Sequence, residues 1–422
     1  MMVENRRQTV KIKDLGEVVT GTTPPTQQKE YFGGKYPFIK PSDISPDQRY
    51  IFQTEMTLSD EGCDYQKRKL LPKNSICVVC IGTIGKMCFT SKPSFTNQQL
   101  NSIIVDQALY EPIYIYYLLK TYITHVKHLN AGSASGRENV NKSSFGNLEI
   151  EVHELPIQRK IAGILSAYDD LIENNTRRIE ILEEMARSIY CEWFVKFRFP
   201  GHEQVQMVDS ELGLIPEGWE VKHLPDICSK VIDGTHDSPK PVNEGYYLVT
   251  GKHIVNGFID FSKCYFISHE EHEKVMKRSK PEKGDTIFSN IGTLGSTAIV
   301  EDNFEFSIKN VALFKPLEKI HSCFIYLYFS SPETLETMEK KASGTSQRFF
   351  SLKFLRELDL VVPPNVVFYK FNSFVRPLLE ERSLLNQKNH NLRKTRDFLL
   401  PRLISGEIDV ENLDINTGEI AA

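Results

Sequence analysis

Few residues in this chain have the types and spacing that chemistry requires. His269 and His272 in SHEEHEKV fall one turn apart on a helix, but the glutamates are out of place for the His-Glu-x-x-His pattern of zinc proteases. A solvated charged helix accounts for them. Cys77 and Cys80 form a CxxC inside the apolar run NSICVVCIGTIGKMCF, with no second pair to complete a zinc site, and read as core cysteines. PEKGD (Pro281 to Asp285) has the acidic-x-Lys order of half a nuclease site, yet it also makes an ordinary turn between a helix and a strand. GTIGKM lacks the spacing and the hydroxyl of a phosphate-binding loop. VVPPNVV has its prolines ahead of the asparagine, the wrong order for an aminomethyltransferase. With no grouping of nucleophile, base and metal, the chain is expected to bind rather than catalyse.

Binding candidates lie in polar loops. After the first strand of each half come Thr22 and Thr23, then Thr235, His236, Asp237 and Ser238. Before the last strand of each half come Arg137, Asn139, Asn141 and Lys142, then Thr345, Ser346, Gln347 and Arg348. Lys40, Lys86 and Lys252 complete the set. Arginine can pair with guanine, and asparagine or glutamine with adenine, each through two hydrogen bonds. Loops hold such residues for many reasons, so composition alone does not choose between a nucleic-acid and a protein partner.

The elements that would position these loops are more legible. From Gln158 to Phe194 the chain reads as one long helix, with Leu165, Tyr168, Ile172, Asn175, Ile179, Leu182, Ala186, Ile189 and Trp193 at alternating spacings of three and four. That is a coiled-coil seam with one polar break. Adding 210 to these numbers gives Val375, Leu378, Arg382, Leu385, Asn389, Leu392, Arg396, Leu399 and Leu403, a more polar seam in the same register. The same offset carries Gly82, Thr83 and Gly85 onto Gly292, Thr293 and Gly295, and Leu148, Ile150 and Val152 onto Leu358, Leu360 and Val362. The chain therefore reads as two copies of one unit, each a mixed α/β globule followed by a long helix.

Composition sets the bounds. With 422 residues, 40% hydrophobic and 25% charged, the chain is of ordinary globular type. Eight scattered cysteines argue against a disulfide framework. Neither a signal-type start nor an apolar run long enough for a membrane span is present, so the expected location is the cytoplasm, with no membrane partner. The net charge of −4 counts slightly against DNA binding, which requires Lys and Arg to replace counterions. Residues 1–157 carry 18 basic and 16 acidic groups, whereas 201–365 carry 18 and 24. DNA binding would therefore need the basic groups gathered on one face.

Taken in order, these segments resemble the specificity subunits of type I restriction-modification systems over nearly the whole chain. The resemblance rests on DGTHDSP (233–239), IPEGWEV (215–221), the Gly-Thr-x-Gly runs at 82–85 and 292–295, the ASGTSQ loop, LPIQRKIAGIL and LLPRLISGEI. The first copy departs from the pattern, with TGTTPP in place of the Asp-Gly-Thr-His run and no Pro-Glu-Gly-Trp opening. The family implies target-recognition domains at 1–156 and 221–365 and spacer helices at 157–198 and 366–405 paired as an antiparallel coiled coil; the chain itself reads as a linker at 199–220 and a loose tail at 406–422. It also implies a non-catalytic subunit that reads a bipartite site on double-stranded DNA. Its partners would be two methyltransferase subunits and a restriction endonuclease and translocase subunit, with S-adenosylmethionine, ATP and Mg held by those partners and none by this chain. A helix of about 37 residues spans roughly 55 Å, against about 34 Å for one turn of DNA, so the helices could space two readers. The competing reading is a duplicated coiled-coil scaffold that binds protein rather than DNA; an enzyme with its own active site is disfavoured.

Overall fold

The apolar run around Cys77 becomes two strands buried on both faces. In the computed structural model, which describes residues 7–45, 48–128, 140–340 and 349–415, Ile76–Val79 and Met87–Thr90 pair antiparallel with Cys77 opposite Cys88. They belong to a five-stranded sheet ordered Gly16–Thr20, Leu100–Val105, Ile76–Val79, Met87–Thr90, Tyr50–Ile51. Alternate residues face two cores. Ile76, Val78, Met87 and Phe89 join the helix Pro112–His128, while Cys77, Val79 and Cys88 join Ile39, Ile44 and Leu71. A sheet covered on both sides needs no polar alternation, which is why the run is apolar throughout. Cys77 and Cys80 are the core cysteines the sequence suggests.

Two compact units result: Met1–Arg177 with Asn386–Ala422, and Arg178–Leu385. Their central sheets correspond strand for strand over four strands. In the second, Cys228–Asp233, Ala312–Pro316, Thr286–Phe288 and Thr297–Ile299 form the corresponding sheet in the corresponding order. The short helices Lys142–Gly146 and Leu352–Arg356 are capped by Asn141 and Ser351, each accepting from the backbone N–H three residues on. Small antiparallel pairs, Arg7–Lys11 with Glu149–His153 and Glu220–His223 with Asp359–Val362, close the two globules.

The two long helices run over Leu155–Tyr190 and Asn365–Ser405, with Pro156 in the first turn where its missing N–H costs nothing. The division between units falls within both of them. In the first unit Asn175 donates to Asn389 at 2.9 Å, and Arg396 pairs with Asp169. In the second, Arg178 pairs with Glu381 at 3.0 Å and Trp193 lies 5.7 Å from Phe371. Numbers rise along one helix as they fall along the other, so both segments pair antiparallel. The seam is the one the heptads define. Leu165, Ile172, Asn175, Ile179, Ala186, Trp193, Val375, Arg382, Leu385, Asn389 and Leu403 are buried, and Tyr168, Leu182, Ile189, Leu378, Leu392, Arg396 and Leu399 are half-buried.

Three stretches depart from the sequence reading. The stretch read as a linker is ordered structure: Met207–Ser210 and Gly213–Pro216 form a hairpin, and Phe199, Ile215 and Trp219 enter the second unit's core. The stretch read as a loose tail is tied down as far as it is described, since Val410 is buried and Lys160 donates to the Glu411 and Leu413 carbonyls at 2.6 and 3.0 Å. His272, read as part of a solvated helix, is fully buried against the Tyr246 ring at 3.7 Å between centroids. The helix His269–Arg278 is amphipathic, and His272 sits on its inner face.

Candidate nucleic-acid interface

The loops after the first sheet strand are built alike in the two units. In the first, the Gly21 N–H bonds the Leu100 carbonyl at 3.2 Å and the Thr22 N–H bonds Thr96 at 3.0 Å. In the second, Gly234 bonds Val311 at 3.0 Å and Thr235 bonds Ile308 at 3.0 Å. A Cβ on Gly21 would stand 2.2 Å from the Asn97 carbonyl oxygen, and one on Gly234 2.3 Å from that of Ile308. Only glycine lets the loop approach the neighbouring backbone so closely. TGTTPP and DGTHDSP are therefore one backbone device.

The side chains on that device differ. In the first unit Thr23 donates to Gln98 at 2.7 Å on an exposed surface. In the second, His236 bridges Asp233 at 2.7 Å and Asn310 at 2.9 Å, Arg278 pairs with the other oxygen of Asp233, and Lys309 donates to Ser238 at 2.5 Å. Thr235 is buried and receives the Asp237 N–H at 3.1 Å, so it shapes the loop rather than presenting itself. His236, Asp237 and Ser238 remain exposed. Gln98, Asn310 and Lys309 escape a reading of the loops alone. The tertiary fold brings them in from the turn before Leu100–Val105 and from the residues after Ser307–Ile308, and only the short polar sequences TNQQ and KN mark them beforehand.

The remaining candidates are spread out. Lys86 donates to the Pro41 and Ile44 carbonyls, each at 3.1 Å, and Lys40 pairs with Glu55 at 2.6 Å. Asn141 caps its helix through the Ser144 N–H at 2.9 Å, and Lys142 beside it is exposed, as is Lys252. Arg137, Asn139, Thr345, Ser346, Gln347 and Arg348 lie outside the described residues. In the first unit a groove of about 310 Å³ is lined by Lys35, Phe52, Gln53, Thr54 and Lys92, with Phe52 61% exposed. Among the described residues no group of His, Cys, Asp and Glu is arranged to hold a metal ion, and no helix is long and apolar enough to cross a membrane.

A family model described as the type I restriction modification DNA specificity domain matches residues 5–184 and again 216–366. The type I restriction enzyme MjaIX specificity subunit of Methanocaldococcus jannaschii is 31% identical over 411 residues, 96% of this chain and 94% of the relative. The chain belongs to the type I restriction modification DNA specificity family. It is a non-catalytic specificity subunit, and the two units carry its two specificity domains. The HindI specificity subunit of Haemophilus influenzae is 38% identical over 169 residues, 39% of this chain and 36% of that one. The crystal structure of the type I system S subunit from M. genitalium shares the fold at a TM-score of 0.59 and 18% identity, covering 96% of this chain and 97% of that one. The first unit is as much a specificity domain as the second, although TGTTPP replaces DGTHDSP.

Proposed function

We propose that this specificity subunit reads a bipartite site on double-stranded DNA, one half-site per globule, and carries two methyltransferase subunits and a restriction and translocase subunit. The observation that carries the reading is the duplicated loop. Its backbone is fixed identically by Gly21 and Gly234, while Thr23 with Gln98 in one unit is replaced by His236 with Asn310 in the other. A constant frame with exchangeable polar side chains reads two different half-sites, because hydrogen bonds to base edges depend on those side chains and not on the frame. Partner subunits are supported by apolar side chains on the outer faces of the long helices. Leu171 and Phe398 in the first unit, and Met185, Tyr369 and Phe374 in the second, are each about half exposed or more. S-adenosylmethionine, ATP and Mg belong to those partners, and the assembly works in the cytoplasm.

The test is to co-express the chain with its methyltransferase, map the methylated sequence, and measure binding to that duplex against salt. Binding should weaken steeply with salt, by about a thousandfold from 50 to 200 mM if roughly six phosphates are contacted. His236→Ala should relax sequence preference in one half-site only, costing about 1–3 kcal/mol there. A complex that assembles yet methylates no defined sequence and ignores DNA would favour the protein-scaffold reading.

A further inference from the structure

In the first unit Arg49, 5% exposed, leaves the globule and enters a row of carboxylates on the central helix. Its Nε and its own backbone N–H both donate to Glu173 Oε1, at 2.8 and 3.1 Å, and Nη2 pairs with Asp170. Asp169, beside them, accepts from Tyr117 of the globule at 2.5 Å and from Arg396 of the C-terminal helix. In the second unit the direction is reversed. Arg382 of the C-terminal helix is 0% exposed and reaches into the globule, donating to the Gly257 carbonyl at 3.0 Å and to the Tyr326 hydroxyl at 2.5 Å. Its guanidinium lies 4.2 Å from the Phe258 ring centroid, and Glu183 of the central helix stands 3.4 Å away. A Cβ at Gly257, where φ is +76°, would lie 2.7 Å from the Tyr326 hydroxyl and 2.8 Å from Arg382 Nη1, so the turn is shaped around the guanidinium.

The two locks occupy one place in the repeat. The residues 210 beyond Asp169–Glu173 are 379–383, which contain Arg382, and 210 beyond Arg49 is Ile259, in the hairpin that turns at Gly257. Both copies tie this stretch of globule to this stretch of helix, with the charge on opposite sides. Bulk stability does not explain that, because a buried ion pair is on average no more stabilising than a well-packed apolar contact of the same size. What a planar guanidinium with several fixed acceptors adds is a single allowed orientation.

We infer that Arg49 and Arg382 are positioning residues that fix the angle at which each recognition globule rides on its helices, and so hold the complex to one gap length between half-sites. The inference rests on the proposed DNA reading. Changing the gap by one base pair moves a half-site by about 3.4 Å along the axis and roughly 35° around it, a displacement that only a loosely held globule would follow.

The experiment uses the full chain assembled with its methyltransferase, and duplexes carrying the mapped half-sites at the native gap or with one base pair more or less. The unaltered complex should reject both wrong gaps by at least about tenfold, and Arg49→Met and Arg382→Met should shrink that ratio below about threefold while binding the native gap nearly as before. Arg49→Lys keeps the charge but not the fork, so it should restore thermal stability without restoring gap discrimination. Should a methionine variant fail to fold, Glu173→Gln and Tyr326→Phe, which each weaken or remove one acceptor of a guanidinium, loosen the same two locks more gently. Variants that melt cooperatively and still discriminate as the parent does would overturn the inference. Hydrogen exchange, read over residues 48–58 and 165–176 in Arg49→Met, separates the two readings. Accelerated exchange in a complex that ignores DNA would retain the lock and sink the DNA reading, whereas unchanged exchange would sink the lock.

Discussion

His272 is held by packing rather than by charge. Its Nδ1 lies 2.9 Å from the Ser307 hydroxyl, its ring is stacked on Tyr246, and burial lowers its pKa, with Glu305 opposing at 3.6 Å. The folded protein therefore takes up this proton at a lower pH than the unfolded chain, whose histidines titrate near pH 6.5, roughly. A base whose folded pKa is depressed contributes in full above the unfolded value, and that contribution is lost as pH falls towards the folded one. Melting temperatures followed from about pH 7.5 to about pH 5.5 should fall less steeply for His272→Phe than for the parent. Equal slopes would show that His272 titrates as freely when folded as when unfolded. Arg49 is the opposite case: burial alone would lower its pKa, but the Glu173 hydrogen bonds and the neighbouring carboxylates outweigh burial and raise it. Its guanidinium stays charged at every working pH.

At the scale of elements, the helix pair combines an apolar seam with one buried polar step. Asn175 donates to Asn389, which itself donates to the Ile172 carbonyl at 3.3 Å and the Thr176 hydroxyl at 3.2 Å. In the repeat, Asn175 corresponds to Leu385 and Asn389 to Ile179, so the asparagine pair has an apolar counterpart. Such a step selects one register, since a slipped pairing would bury an amide against leucine. Leu182→Asp and Leu392→Asp strike half-buried seam positions, whereas Leu385 is 1% exposed. Leu385→Asp should therefore cost about 3 kcal/mol or more, visible in urea unfolding of the free chain, with the half-buried positions costing less. An equal loss at all three would mean that burial along the seam does not govern its stability.

At the scale of the whole chain, the second unit is one continuous stretch and the first is not. The first draws on residues 386–422, and Leu403, Ile404 and Val410 belong to the same apolar cluster as Ile161 and Leu165. His153 also bonds the Ile404 carbonyl at 3.0 Å. Ending the chain after Leu385 should thus unfold the N-terminal globule, which keeps all its own strands, and spare the C-terminal one. Calorimetry with peptide-resolved hydrogen exchange would show this. Protection lost instead in residues 220–362 would contradict the division.

Much of this was determined by the sequence alone. An offset of 210 and a heptad seam are local periodicities, and they specify two α/β units, two long helices and the faces those helices bury. The apolar run around Cys77 likewise marks a buried core, whereas the close backbone approaches at Gly21 and Gly234 appear only in the fold. Only the tertiary structure decided which side chains share a surface. Thr23 meets Gln98 across 75 residues, His236 meets Asn310 across 74, and Arg49 meets Glu173 across 124. It also decided that the end of the final helix, from Asn386, and the stretch after it complete the first unit. Periodicity records what one element buries along its own length, whereas a long-range polar contact is set by how separate elements pack, and no local pattern in the chain carries that information.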